Sequence, residues 1–260
     1  MKTISFSSVE VLPSLLDKSK VQTIRPLWKN IPQFEVLIYM GNHEVLGEYG
    51  KHFILKKPRF EKGEKAKDVL KGLDGIIIPG GFGDRGWEGK IAVAEYARKN
   101  DLPFLGICLG FQAAVVEYAR NVAGLEANST EMDPKVKDKV ISLMDEQKEI
   151  TDKGGTMRLG AYDAVLEKGS IVAKLYKSTK VSERHRHRYE VNPEYHSLFK
   201  KTGLKTSGFS PDGKLAEFLE LPKHTYFVAT QAHPELKSKL EAPAPLFYGL
   251  VKAAKDKRGW

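Results

Sequence analysis

The sequence predicts a doubly wound α/β fold, a mostly parallel sheet with helices on both faces and an antiparallel extension. Three observations carry this. Short, wholly apolar runs alternate with segments of helical spacing through the first half of the chain. The second half changes to alternating, strand-like segments separated by Gly, Pro and Asp turns. Between them lies a glycine-flanked cysteine, placed where a strand passes into a helix.

Phe34–Met40 is β-rich and apolar and reads as a buried strand. Glu64–Leu73 has helical spacing at Ala66, Val69, Leu70 and Leu73. Gly75–Pro79 is the next buried strand, and Ile91, Ala94 and Ala97 mark one face of a helix from Gly89 to Asn100. Leu102–Ile107 is a third strand, followed by a helix over Phe111–Ala123. Later strands are expected at Lys139–Leu143, Leu159–Leu166, Thr206–Phe209, Leu215–Leu221 and Tyr226–Thr230. Leu246, Phe247, Leu250, Val251 and Ala254 give a C-terminal amphipathic helix, and Lys255–Arg258 reads as a solvated tail. No repeat or linker divides the chain, so residues 1–260 are expected to form a single domain. The first 30 residues carry the weakest pattern.

Composition narrows the function classes. Hydrophobic residues make up 41%, enough for a sizeable core, and no apolar run approaches the ~18 residues of a membrane helix. A single cysteine cannot form an intrachain disulfide or a cysteine-rich zinc site, so a reducing, cytoplasmic setting is expected. The net charge of +9 raises the question of nucleic acid, but it divides as +4 over residues 1–107 and +5 over 108–260, with no basic arm. Neither nucleic acid nor a membrane is expected as a partner, and no metal site is expected.

The chemistry gathers around Gly106-Ile107-Cys108-Leu109-Gly110. A sharp strand-to-helix turn exposes a nucleophile, small glycines let the chain pack through it, and the helix N-terminus favours negative charge. The Leu109 N–H would face a developing oxyanion. A buried core cysteine is the plain alternative. A thiol nucleophile needs a base and an orienting group. His233 follows the last strand in Gln231-Ala232-His233-Pro234-Glu235, with Glu235 close enough to fold back on the imidazole. His43, His52, His196 and His224 read as surface loop histidines. Pro79-Gly80-Gly81-Phe82-Gly83 supplies flexible backbone for a second oxyanion donor, and no phosphate-binding loop occurs. Glu183–Glu190 is the densest basic cluster; if extended, it would set Arg184, Arg186 and Arg188 on one side. It suits a structural ion-pair network or an anion site equally.

Cys108–Gln112 and His233-Pro234-Glu235 resemble the class I glutamine amidotransferases, which share a flavodoxin-like α/β fold. Pro79–Gly83 with Arg85-Gly86 and Glu88–Lys90, Ala127–Glu131, Gly154–Gly160 and Glu183–Asn192 are together similar to the glutaminase domain of CTP synthase. The likeness is strongest over residues 70–252, and residues 1–60 diverge. The resemblance implies hydrolysis of L-glutamine to glutamate and ammonia, with the ammonia passed to a synthetase domain that aminates ATP-activated UTP. It implies Cys108 as nucleophile, His233 as base and acid, and Glu235 as its orienting partner. Gly81 and Leu109 would form the oxyanion hole; they, Gln112, Glu131 and Arg188 would hold glutamine. The chain would need no cofactor of its own: ATP, Mg and UTP belong to the synthetase domain or subunit, without which this chain is not expected to make CTP. Ala232, Leu236 and Phe111 depart from the family's usual residues, and all three are apolar packing positions. The alternatives are another triad hydrolase of this fold, such as a γ-glutamyl hydrolase, and a non-catalytic regulatory module.

Overall fold

The computed structural model describes residues 36–38, 66–143, 157–239 and 242–258. Eight strands form one sheet in the order β1-β2-β3-β11-β10-β9-β6-β7. Its parallel part comprises β1 (Val36–Ile38), β2 (Gly75–Ile78), β3 (Phe104–Ile107) and β11 (Phe227–Thr230). The antiparallel extension supplies the other four: β10 (Ala216–Glu220), β9 (Lys205–Phe209), β6 (Arg158–Leu166) and β7 (Lys180–His187). A small second sheet joins β4 (Ala127–Ser129), β5 (Asp138–Ser142) and β8 (Glu190–Val191).

Every residue of β2, β3 and β11 is buried, as expected for parallel strands covered on both faces. Adjacent residues of β3 pack into different cores. Phe104 lies with Ile76, Ile78, Val93 and Phe227 under α1 (Ala66–Leu70) and α2 (Trp87–Lys99). Leu105 and Ile107 lie with Phe218, Val228, Leu246 and Leu250 under α4 (Ile171–Tyr176) and α6 (Pro245–Arg258). A third core forms around Phe111, Val115, Phe199 and Leu219, between α3 (Leu109–Asn121), α5 (His196–Thr202) and the sheet. Phe104 and Phe227 stack at 4.4 Å between neighbouring strands.

α3 is buried along nearly its whole length, so its one charged core residue needs a partner. Glu117, fully buried, takes a forked hydrogen bond from Arg98 of α2, with contacts of 2.6–3.1 Å, and another from Asn121 at 3.1 Å. This ties the two helices together toward the C-terminal end of α3.

Three sequence readings change in detail. His196, expected in a surface loop, is the first residue of α5, with its ring against Phe209 and its Nε2 buried. Lys255–Arg258 is the last turn of α6, where the Lys257 ammonium meets Asp101 and its carbonyl. Positive charge there also suits the negative end of the helix. His224 occupies a turn, but its side chain is only 5% exposed, held between Ala97 C=O at 3.0 Å and Asp101. Residues 1–35 and 39–65, with His43 and His52, and Gly154 to Thr156 lie outside the described residues. Among the described residues no helix is long and apolar enough to cross a membrane.

The elbow depends on two glycines. A Cβ on Gly110 would sit 2.1 Å from Ile78 C=O, and one on Gly106 would sit 2.7 Å from Gly110 C=O. Both neighbours are backbone and cannot swing aside. Gly110→Ala is therefore expected to destabilise the domain by about 3 kcal/mol. Urea unfolding of the parent and variant checks this; an unchanged midpoint would mean that α3 does not press on β2 as described.

Candidate active site

Three neighbouring parallel strands end at one edge of the sheet, where α/β proteins place their sites. β2 delivers Gly80 and Gly81, β3 delivers Cys108, and β11 delivers Gln231 through Glu235. Cys108 stands between strand and helix with φ 51° and ψ −103°, one of three described non-glycine residues at positive φ. Such a conformation costs about 1–3 kcal/mol and persists only where the surroundings impose it. The Cys108 N–H donates to Thr230 C=O at 2.8 Å, and its C=O accepts the first helical bond, from Gln112 N–H at 3.1 Å.

His233 Nδ1 lies 2.5 Å from Glu235 Oε1, and both side chains are largely buried. The short 3₁₀ turn Pro234–Leu236 folds Glu235 back over the imidazole. Burial alone would lower the His233 pKa. The nearby Cys108 and the hydrogen-bonded Glu235 outweigh it and raise the imidazole to about 10. His233 thus stands between the Cys108 sulfur and the Glu235 carboxylate, which together favour its imidazolium form. Gly80 makes this closeness possible, since a Cβ there would lie 2.7 Å from His233 Cε1 and 3.4 Å from Cys108 Cβ.

A cleft opens in front of Cys108, lined by Gly81, Phe82, Gln112, Glu131, His187, Arg188 and Tyr189. Gly81 abuts Leu109: a Cβ on it would be 3.3 Å from Leu109 Cδ2. Leu109 is the first residue of α3, so its N–H has no acceptor within the helix. Glu131 follows β4 and accepts from Gly83 N–H at 3.0 Å, which fixes the glycine loop against the carboxylate. Asn128 holds the same loop's exit by accepting from Trp87 Nε1 at 2.8 Å. The structure thus brings together all the residues singled out from the sequence: Cys108, His233, Glu235, Gly81, Leu109, Gln112, Glu131 and Arg188.

The Arg-His cluster divides by side. In β7 the arginines Arg184 and Arg186 face out, while Glu183, His185 and His187 are buried. The strand stops at His187, so Arg188 leaves the ladder and turns into the cleft. Beneath lies a network that the sequence did not disclose. Arg158 of β6 bridges Glu190 at 3.0 Å and Glu217 at 2.8 Å, and His187 Nε2 meets Glu190 at 2.7 Å. Burial works against the Glu190 charge, but His187 and Arg158 outweigh it and hold the carboxyl below its ordinary range. Burial pushes Glu217 up to about 7 against the pull of Arg158. Burial, with His187 and Arg158 close by, drives His185 down to about 2. The only sequence signal was the i, i+2 alternation of His and Arg; the partners Arg158 and Glu217 come from distant strands.

Comparison with known proteins agrees with this geometry. Residues 40–253 match the family model for Glutamine amidotransferase class-I. CTP synthase of Methanococcus maripaludis is 63% identical over 185 residues, which is 71% of this chain and 35% of that protein. CTP synthase of Methanocaldococcus jannaschii is 64% identical over 183 residues, 70% of this chain and 34% of that protein. The chain therefore spans about a third of the length of the curated relatives it matches. Among solved structures, the glutaminase domain of Trypanosoma brucei CTPS with bound acivicin superposes with a TM-score of 0.77 at 35% identity, covering 86% of this chain and 94% of that one. A family model spanning most of the sequence, and a solved domain covered almost end to end, place this chain in the class I glutamine amidotransferase family.

Proposed function

We propose that this chain is a glutaminase of the CTP synthase type, hydrolysing L-glutamine to glutamate and ammonia through a γ-glutamyl thioester on Cys108. The observation that carries the reading is the elbow cysteine, held at positive φ beside a His233–Glu235 pair 2.5 Å apart.

The chemistry follows from the placement. His233 takes the Cys108 proton, and Glu235 stabilises the resulting imidazolium and holds its ring. The sulfur attacks the γ-carbonyl carbon, and the carbonyl electrons move to oxygen. The Leu109 and Gly81 N–H groups receive that oxyanion. As the C–N bond breaks, His233 returns its proton to the leaving nitrogen and ammonia departs. Water, deprotonated by the same imidazole, then adds to the thioester, and the C–S bond breaks to release glutamate and restore the thiol. Arg188 and Glu131 suit the two charged ends of a free amino acid, one gripping the carboxylate and the other pairing with the ammonium. Gln112 adds a neutral polar contact.

The ammonia is taken up by a synthetase domain or subunit that aminates UTP to CTP, and ATP, Mg and UTP bind there. The likeness to CTP synthases over about a third of their length supports this division of labour. A reducing cytoplasm suits a lone nucleophilic thiol.

Two outcomes test the reading. Cys108→Ala should abolish ammonia release from glutamine, and acivicin should label Cys108 of the folded parent by mass spectrometry; a folded parent left unlabelled overturns the assignment. The second outcome concerns pH. The folded His233 pKa of about 10 lies above the unfolded value of 6.5. Its stabilisation is therefore complete below pH ~6.5 and is lost as pH rises through about 10. The stability gap between the parent and His233→Gln should accordingly narrow from pH 6 to pH 10 in urea titrations. A gap that stays constant would mean that the imidazolium is not held as described.

A further inference from the structure

Gln231 lies just beyond β11 and is completely buried. Its backbone N–H donates to Glu217 C=O at 3.0 Å, so it is fixed to the central sheet. Its side-chain Oε1 accepts from Gln112 Nε2 at 3.2 Å. The same Gln112 nitrogen donates to Tyr189 C=O at 3.0 Å. Both hydrogens of the Gln112 amide are therefore spoken for. Its Oε1 is buried and has no hydrogen-bond partner among the described residues, and Gln112 lines the cleft beside Cys108. An unpartnered acceptor in a buried site is costly until a ligand N–H reaches it.

We infer that Gln231 is a positioning residue for glutamine binding. It acts through Gln112, fixing that amide so that its oxygen, not its nitrogen, faces the substrate. The inference rests on the glutaminase reading. The two anchors differ in kind. Tyr189 belongs to the turn after β7 that also carries Arg188. Gln231 belongs to the rigid sheet edge that carries His233. With the Tyr189 contact alone, the Gln112 amide pivots about one hydrogen bond; with both, its plane is set. Gln231 thereby registers the binding side of the cleft against the catalytic side. The Gln231 Nε2 atom also lacks a partner among the described residues, so the side chain is kept polar for its oxygen.

The experiment uses Gln231→Met, which preserves length and apolar bulk but removes the acceptor. Steady-state glutamine hydrolysis should show KM raised about 3- to 10-fold, the worth of one neutral hydrogen bond, with kcat within about twofold. In a Gln112→Ala background the same change should leave KM within about twofold, because the residue it acts through is gone. An unchanged KM in the single variant, or an equal effect in both backgrounds, overturns the inference. Should Gln231→Met fail to fold, Gln231→Glu keeps an oxygen in place. A parental KM then supports the inference, and a KM raised to that of Gln112→Ala overturns it. Failure of the glutaminase reading would look different, since the parent itself would then neither turn over glutamine nor take up acivicin. In that event crystal structures of the parent and Gln231→Met decide: a Gln112 amide that keeps its orientation in the variant overturns the inference, and one that rotates supports it.

Discussion

The structure depends on one close approach. The first turn of α3 presses on the end of β2 so tightly that Gly110 leaves no room for a side chain, its missing Cβ standing 2.1 Å from Ile78 C=O. Gly106 is also crowded, its missing Cβ standing 2.7 Å from Gly110 C=O. With the helix held there, the chain has no room for a relaxed connection between β3 and α3, and Cys108 must absorb the turn at φ 51°. The strain has a use. A residue at so sharp a bend sits where β2 and β11 also end, and Cys108, only 2% exposed, lines the cleft there from below. The glycines, the strain and the position of the buried Cys108 beneath the cleft are consequences of one packing contact.

A second constraint brings the base to the sulfur. β7 ends the row of strands, and its outer edge would ordinarily face solvent. In an antiparallel strand alternate residues direct their carbonyls to the same edge. Here the carbonyls of Ser182, Arg184 and Arg186 accept from Lys237 Nζ at 2.5 Å, His233 N–H at 2.7 Å and Cys108 Sγ at 3.9 Å. The sheet curls so that its last strand reaches the loop following β11. The edge is thereby capped, and the cap is the catalytic turn. One backbone ruler spaces cysteine, histidine and the lysine beyond Glu235, which ties the antiparallel extension to the chemistry.

How much of this was legible follows from where the information lies along the chain. β2, β3 and β11 could be read because a strand buried on both faces must be apolar at every position, as in Gly75–Ile78. Cys108, His233 and Glu235 could be singled out because turn and chemistry are written within a few residues of each. β7 could not: Lys180–His187 contains almost no apolar residue, and its buried side chains are a glutamate and two histidines. Such a strand is stable only through its pairing with β6, a register of eight residue pairs that no local pattern announces. β4 and β8, three and two residues long, fall below any periodicity. His224 was misplaced for a related reason, since a turn in sequence can still be covered by a distant helix, here by Ala97 of α2.

The buried charges under β7 illustrate the same point energetically. Burying ions is costly unless each finds a partner, and here the partners come from four strands, β6, β7, β8 and β10. Arg158, 13% exposed at its side chain, supplies one positive charge to two carboxylates, both almost fully buried. One cation cannot stabilise two adjacent anions equally, so the environment separates them: Glu190, with His187 also against it, is held charged, and Glu217 rises to about 7. His185 lies 3.7 Å from Glu217 yet is driven down to about 2, because burial disfavours its charged form and the nearby His187 and Arg158 add repulsion. The arrangement limits net charge in a buried region. It also holds β6, β7 and β10 in register, and with them the point where β7 stops and Arg188 enters the cleft. The densest basic cluster of the sequence is, residue by residue, two outward arginines over a charge-balanced interior. Its third arginine is aimed by the strand's end at the site.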